Sequence, residues 1–160
     1  MDGFTANGEG DVYGVHDAFG MHDWIKTKST VLISGNATGE ILYFDAPIRF
    51  WGGINVVNSK VIQAGHPQHG KVTSEKILVI PNLIGSSSSS AVILELIYSG
   101  IAPKALILGM HDAILPIGNI AARQMGWGTI PMVALKNPHF KSGDWVEICS
   151  DGIIKNINRQ

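Results

Sequence analysis

A chain of 160 residues, 45% hydrophobic and only 16% charged, is long enough for one domain with a real core and too apolar to be disordered. Its formal net charge of -1 gives no basis for nucleic acid or an anionic membrane surface as partner. The single cysteine, Cys149, excludes an internal disulfide and cannot hold an iron–sulfur cluster; no window reaches the roughly 18–20 apolar residues of a membrane span. Residues 1–10 lack the basic-then-apolar pattern of a secretory leader, so the default expectation is a reducing, cytoplasmic setting.

Residues 1–30 are rich in Gly, Asp and His and show neither helical nor strand period, which predicts a loose N-terminal arm, in the simplest reading a mobile terminus. Val12, Tyr13, Phe19, Met21 and Trp24 give that arm apolar surface for docking on the body or on another subunit. From Val31 the texture changes, and the body is expected to run over 31–160. Short apolar runs at 30–34, 40–44, 48–51 and 60–63 alternate with turn clusters at 35–39, 45–47, 52–53 and 65–70, predicting an all-β first half.

The second half alternates differently. Residues 76–80 read as a buried strand ended by Pro81, which has no N–H for a sheet ladder. Asn82 to Gly85 form a tight connection into five consecutive serines, Ser86 to Ser90. A helix follows, with Val92, Leu94, Ile97 and Tyr98 at helical spacing and Gly100 as its left-handed stop. Residues 104–108 form a second buried strand, Pro116 to Met125 a second helix, and 129–135 a third strand, which together predict parallel βαβ pairing. Trp145 to Cys149 and Ile153-Ile154 then pair as a hairpin about Asp151-Gly152. The fold class is therefore α/β, a short-strand β region joined to a parallel βαβ layer.

The chemistry concentrates at Gly85 and the serines. A strand, a glycine turn and a helix N-terminus bring free backbone N–H groups and the positive end of a helix dipole together, a setting for a small anion. Gly85, Ser87 and Ser88 are the candidate substrate-binding residues, and Ser86, directly after the glycine, is best placed for proton transfer. The simpler reading is that the serines cap the helix, although one would suffice. No Gly-Lys-Ser/Thr follows, so this is not a phosphate P-loop, and no glycine sits where a Gly-x-Ser-x-Gly elbow needs it.

Gly52 and Gly53 allow a ligand or another backbone to come close, whereas Trp51 before them reads as a core residue. His66 and His69 sit in a Pro/Gly loop without nearby Cys or acidic residues, so no metal site is expected; His66 is a candidate substrate or interface contact. Asp112 reads as the cap of the second helix, and Cys149 as a packing residue.

Gly35-Asn-Ala-Thr-Gly39-Glu40, Phe50-Trp51-Gly52-Gly53, Val61-Ile62 with His66-Pro67-x-x-Gly70, Lys76 to Pro81, Gly85 with its serines, and Gly100-Ile-Ala-Pro103 together resemble the small subunit, or swivel domain, of aconitase X. The resemblance covers roughly residues 31–150. It implies a swivelling β/β/α domain docking on a large subunit that carries an iron–sulfur cluster, with the active site between them. Family members dehydrate hydroxy acids, one branch cis-3-hydroxy-L-proline and another mevalonate 5-phosphate, and this chain looks nearer the first. By the same resemblance Ser86 matches the serine that abstracts the substrate proton.

Two departures stand out. The family's turn carries a basic residue before Gly85 where this chain has Ile84, and its Asp-Pro after the glycine pair is replaced by Asn55-Val56. The first removes positive charge beside a very weakly acidic hydroxyl, and a helix end supplies only about 0.3–2 kcal/mol toward an alkoxide. The alternative function is a non-catalytic swivel-type binding module. A phosphohistidine swivel domain ranks lower, because the turn offers serines instead of histidine.

Overall fold

The computed structural model describes residues 12–16 and 23–158. In chain order these form β1 (Val12–His16), β2 (Asp23–Lys28), β3 (Thr30–Ile33), β4 (Ala37–Tyr43), β5 (Lys76–Ile80), α1 (Ser89–Tyr98), β6 (Ala105–Leu108), α2 (Ile114–Gln124), β7 (Met132–Ala134), β8 (Trp145–Ile148) and β9 (Ile153–Asn156). All strands belong to one sheet in the order β1-β2-β9-β8-β4-β5-β6-β7-β3. The run β4-β5-β6-β7 is parallel, and every other pairing is antiparallel.

β3, at one end of that order, follows directly in the chain from β2, one strand in from the other end. Only Ser29 separates β2, which pairs with β9, from β3, which pairs with β7, so one continuous stretch closes the ladder into a ring. Gly152 makes the corner possible. Ser29 donates both its amide (3.1 Å) and its hydroxyl (2.6 Å) to the Gly152 carbonyl. Gly152 has φ of 87°, and a Cβ there would lie 2.7 Å from the Ser29 carbonyl oxygen, so a side chain is excluded twice over.

Strand alternation then builds two cores. Ile41, Ile77, Val79, Ala105, Ile107, Val133, Val146, Ile148 and Ile154 fill the ring, closed off by Phe140. Leu42, Leu78, Ile80, Leu106, Leu108 and Met132 point the other way and meet Val92, Ile93 and Leu96 of α1 and Leu115 of α2. Both faces of β5 and β6 are thus buried, which explains why their sequences are apolar without a polar face. The two helices pack together over β5, β6 and β7, and Gly118 of α2 is pressed so closely on α1 that a Cβ would sit 2.3 Å from the Ser90 carbonyl oxygen.

The α/β class and the second-half elements agree with the sequence reading, and three details differ. The expected arm over 1–30 contains β1 and β2, and β2 is hydrogen-bonded to the body; Phe19 and Met21 lie outside the described residues. The Asp and Lys residues of β2 dilute its strand pattern, since Ile25 faces outward at 52% exposure while Thr27 is the buried residue. Residues 37–39, expected in a turn, extend β4 along β8. The runs at 48–51 and 60–63 are not strands. Among the described residues the segment 44–75 carries only the isolated bridges Ile48 to Leu83, Ile54 to Val61 and Lys60 to Val72. Pro47, Pro67 and the glycines interrupt any ladder there, and side chains satisfy much of the backbone instead.

Candidate functional site

Because β4 to β7 run parallel, the connections after their C-terminal ends leave from one rim of the ring, where ligands of open α/β sheets also gather. The turn after β5 is the predicted serine stretch. Its residues 82–84 lie beside 48–50: Ile48 N–H donates to the Asn82 carbonyl (3.2 Å) and Ile84 N–H to the Ile48 carbonyl (2.8 Å). Gly85 and Ser87 are exposed, and Ser86 and Ser88 half-buried.

The hydroxyls are not spent on capping. Among the described residues no side chain caps the N-terminus of α1. Ser86 Oγ accepts a long bond from the Ser88 amide (3.3 Å), and the Ser86 carbonyl accepts from the Ser89 amide (3.0 Å). Ser90 Oγ donates back to the Ser87 carbonyl (3.0 Å). Ser89 differs from its neighbours: it is 1% exposed, and its hydroxyl has no partner among the described residues. From Ile77 to Leu94 the chain contains no charged residue, so the turn offers hydroxyls, amides and a helix dipole but no formal charge of its own.

The structure divides the other candidates. Gly52 has φ of 73° with none of the described residues within 4 Å of a Cβ, which suits an open turn. Gly53 is buried, and a Cβ there would lie 1.8 Å from the Arg49 carbonyl oxygen; what comes close to this glycine is the protein's own backbone. His66 is 5% exposed, its ring set edge-on to Phe44, and both nitrogens are engaged. Nδ1 accepts from the Gln68 amide (3.0 Å), which leaves the proton on Nε2 to donate to the Ala46 carbonyl (3.0 Å). His66 therefore holds the 45–49 segment, with no nitrogen left for a ligand.

Two glutamines that the sequence reading passed over do the same. Gln63 donates to the Pro47 carbonyl (2.9 Å) and accepts from the Arg49 amide (3.0 Å). Gln68 accepts from the Asp45 amide (3.1 Å) and donates to its carboxylate (2.6 Å). Together they brace the segment against which the serine turn is paired. Trp51, expected in the core, is 60% exposed, because the turn at 50–53 sends Phe50 inward and Trp51 out. Asp112 caps α2 as expected, its Oδ2 accepting from the amides of Ile114 (3.1 Å) and Leu115 (2.7 Å).

Among the described residues no group of three His, Cys, Asp or Glu side chains is arranged to hold a metal, and Cys149 lies in the β8–β9 hairpin. These residues do not fit an iron–sulfur cluster. No helix among them is long and apolar enough to cross a membrane.

A ring-closed mixed sheet, two helices packed on one flank and a hydroxyl-loaded strand-to-helix turn on the rim define a swivelling β/β/α domain. The family model for the aconitase X swivel domain matches residues 26–156, and the chain belongs to that family. It is 38% identical over 114 residues to a cis-3-hydroxy-L-proline dehydratase of Hypocrea jecorina, a match covering 71% of this chain and 19% of that protein. A phosphomevalonate dehydratase small subunit of Thermococcus onnurineus is 33% identical over 128 residues, covering 79% of this chain and 94% of the relative. The holo-form crystal structure of Thermococcus kodakaraensis aconitase X superposes with a TM-score of 0.74 at 31% identity, covering 82% of this chain and 98% of that one. The chain thus spans about a fifth of the length of the cis-3-hydroxy-L-proline dehydratases it matches and nearly all of the small subunits.

Proposed function

We propose that the chain is the small subunit of an aconitase-X-type hydro-lyase that dehydrates cis-3-hydroxy-L-proline, working with a large subunit that carries the iron–sulfur cluster. The observation that carries this reading is the rim turn, whose serines leave the helix uncapped and keep Ser86 half-buried at the opening. Ser86 is the base. Its oxygen takes the proton alpha to the substrate carboxylate, the C–H electron pair becomes the new C=C bond, and the beta hydroxyl leaves with its C–O pair as hydroxide; the proton held by Ser86 then passes to that hydroxide, giving water and restoring the base. Gly85 and Ser87 orient the substrate through backbone amides, the Ser88 amide donates to the Ser86 oxygen (3.3 Å), and the braced 45–53 segment forms the neighbouring wall. Gly52, Gly53 and His66 act by holding that wall.

Replacement of Ser86 by Ala in the reconstituted pair is expected to lower kcat by about 100-fold or more. Folding should be unaffected, since among the described residues the hydroxyl makes one long bond. Near-normal turnover by a folded Ser86→Ala complex would remove Ser86 from the chemistry. Dehydration of mevalonate 5-phosphate is the second reading, favoured by the near-complete overlap with small subunits of that name. Assaying both hydroxy acids decides between them, and turnover of neither would leave a non-catalytic binding module.

A further inference from the structure

A serine turn without charge must borrow it. The chain from Ile77 to Leu94 brings no cation to the site, and the residue before Gly85 is the apolar Ile84. The segment running parallel beside this turn does carry one. Ile48 is bridged to Leu83, and Ile84 N–H donates to the Ile48 carbonyl, so Arg49 is the residue set alongside Ile84. Adjacent strands lie about 4.8 Å apart and a chain advances about 3.3 Å per residue, which places Ser86 within reach of an extended arginine side chain.

Three further observations favour a functional arginine over a solvated one. Its backbone is fixed, because Gln63 accepts from the Arg49 amide and donates to the Pro47 carbonyl. Arg49 is exposed, and its guanidinium has no carboxylate partner among the described residues. The acid on the same segment, Asp45, is occupied by Gln68 and does not compensate it. An anchored backbone with an uncommitted planar cation beside an amide-rich turn suits a bidentate grip on a carboxylate or phosphate.

We propose that Arg49 is the anion-binding residue of this site, gripping the substrate's carboxylate or phosphate group over the serine turn. This rests on the dehydratase reading for its substrate, but the grip itself is testable without turnover. In the complex with the large subunit, Arg49→Gln is expected to raise KM about 10- to 100-fold with kcat within a few-fold of the parent, and Arg49→Lys to restore part of the loss. A purely structural role would instead lower thermal stability along with any rise in KM, whereas a grip leaves the Tm at the parent's value.

Equilibrium binding of L-proline and of inorganic phosphate to the same complex gives the second readout. Weakened L-proline binding in Arg49→Gln identifies a carboxylate grip, and weakened phosphate binding a phosphate grip. Unchanged binding of both, or an unchanged KM, overturns the assignment. If the parent complex dehydrates neither hydroxy acid yet its anion binding depends on Arg49, the reaction is wrong and the grip stands.

Discussion

The adjacent glycines Gly52 and Gly53 should respond to the same substitution very differently. At Gly53 an added Cβ would lie 1.8 Å from the Arg49 carbonyl oxygen, more than an ångström inside any ordinary contact, and the obstacle is backbone, which cannot rotate away. Relief requires opening the turn in which the Gly53 and Ile54 amides donate to the Phe50 carbonyl (3.2 and 3.1 Å), with the Ile62 amide on the Gly53 carbonyl (2.8 Å). It also disturbs Phe50 and Ile54, 0% and 3% exposed. Two or three hydrogen bonds at about 1 kcal/mol each, with overpacking of about 1–3 kcal/mol, give a loss of roughly 3–6 kcal/mol for Gly53→Ala. At Gly52 a Cβ meets nothing within 4 Å, and only the positive φ of 73° resists it, so Gly52→Ala should cost about 1–2 kcal/mol. Urea unfolding of the two variants reads the difference directly. With a slope of about 2 kcal/mol per molar, the midpoint should fall by roughly 1.5–3 M for Gly53→Ala and by about 0.5–1 M for Gly52→Ala. Equal midpoints, or a Gly53→Ala midpoint at the parent's value, would refute the view that this pair is shaped by the protein's own turn.

Two further outcomes follow from buried polar groups. Asn119 of α2 is 0% exposed, donates to the Ile130 carbonyl and accepts from its amide, both at 2.9 Å. Asn119→Ala leaves both groups of a residue only 8% exposed without partners and should cost about 2–4 kcal/mol by urea unfolding; a loss under 1 kcal/mol would mean water replaces the side chain. Ser89 is the opposite case, because its buried hydroxyl has no partner to lose among the described residues. Ser89→Ala should raise stability by about 1 kcal/mol, or about 2–4 °C in Tm, and a lower Tm would show that the hydroxyl is bonded.

What was legible in the sequence was local. Strands β5 and β6 announced themselves as short apolar runs, the β8–β9 hairpin by Asp151-Gly152, and the end of α1 by Gly100, whose φ is 70°. The serine turn was equally plain, since a strand stop, a glycine and a helix start lie within ten residues of one another. Closure of the ring was hidden because it depends on Ser29 meeting Gly152 across 123 residues of chain, and the strand that carries it, β2, is diluted by charged residues.

The wall of the site was hidden for a related reason. Gln63, His66 and Gln68 read as ordinary loop polarity, yet each spends its side chain on the backbone or carboxylate of 45–49, doing with hydrogen bonds what a ladder does elsewhere in the sheet. That bracing decides where Arg49 and the 50–53 turn stand relative to Ser86, so the turn can be read from one stretch of chain while its charge and its wall cannot. It also separates two kinds of damage: loss of a Ser86 hydroxyl should slow the reaction in an intact protein, whereas loss of a bracing side chain should loosen substrate binding and stability together. A Gln63→Ala variant that weakened neither would mean that the pairing of Ile48 with Leu83 holds the wall unaided.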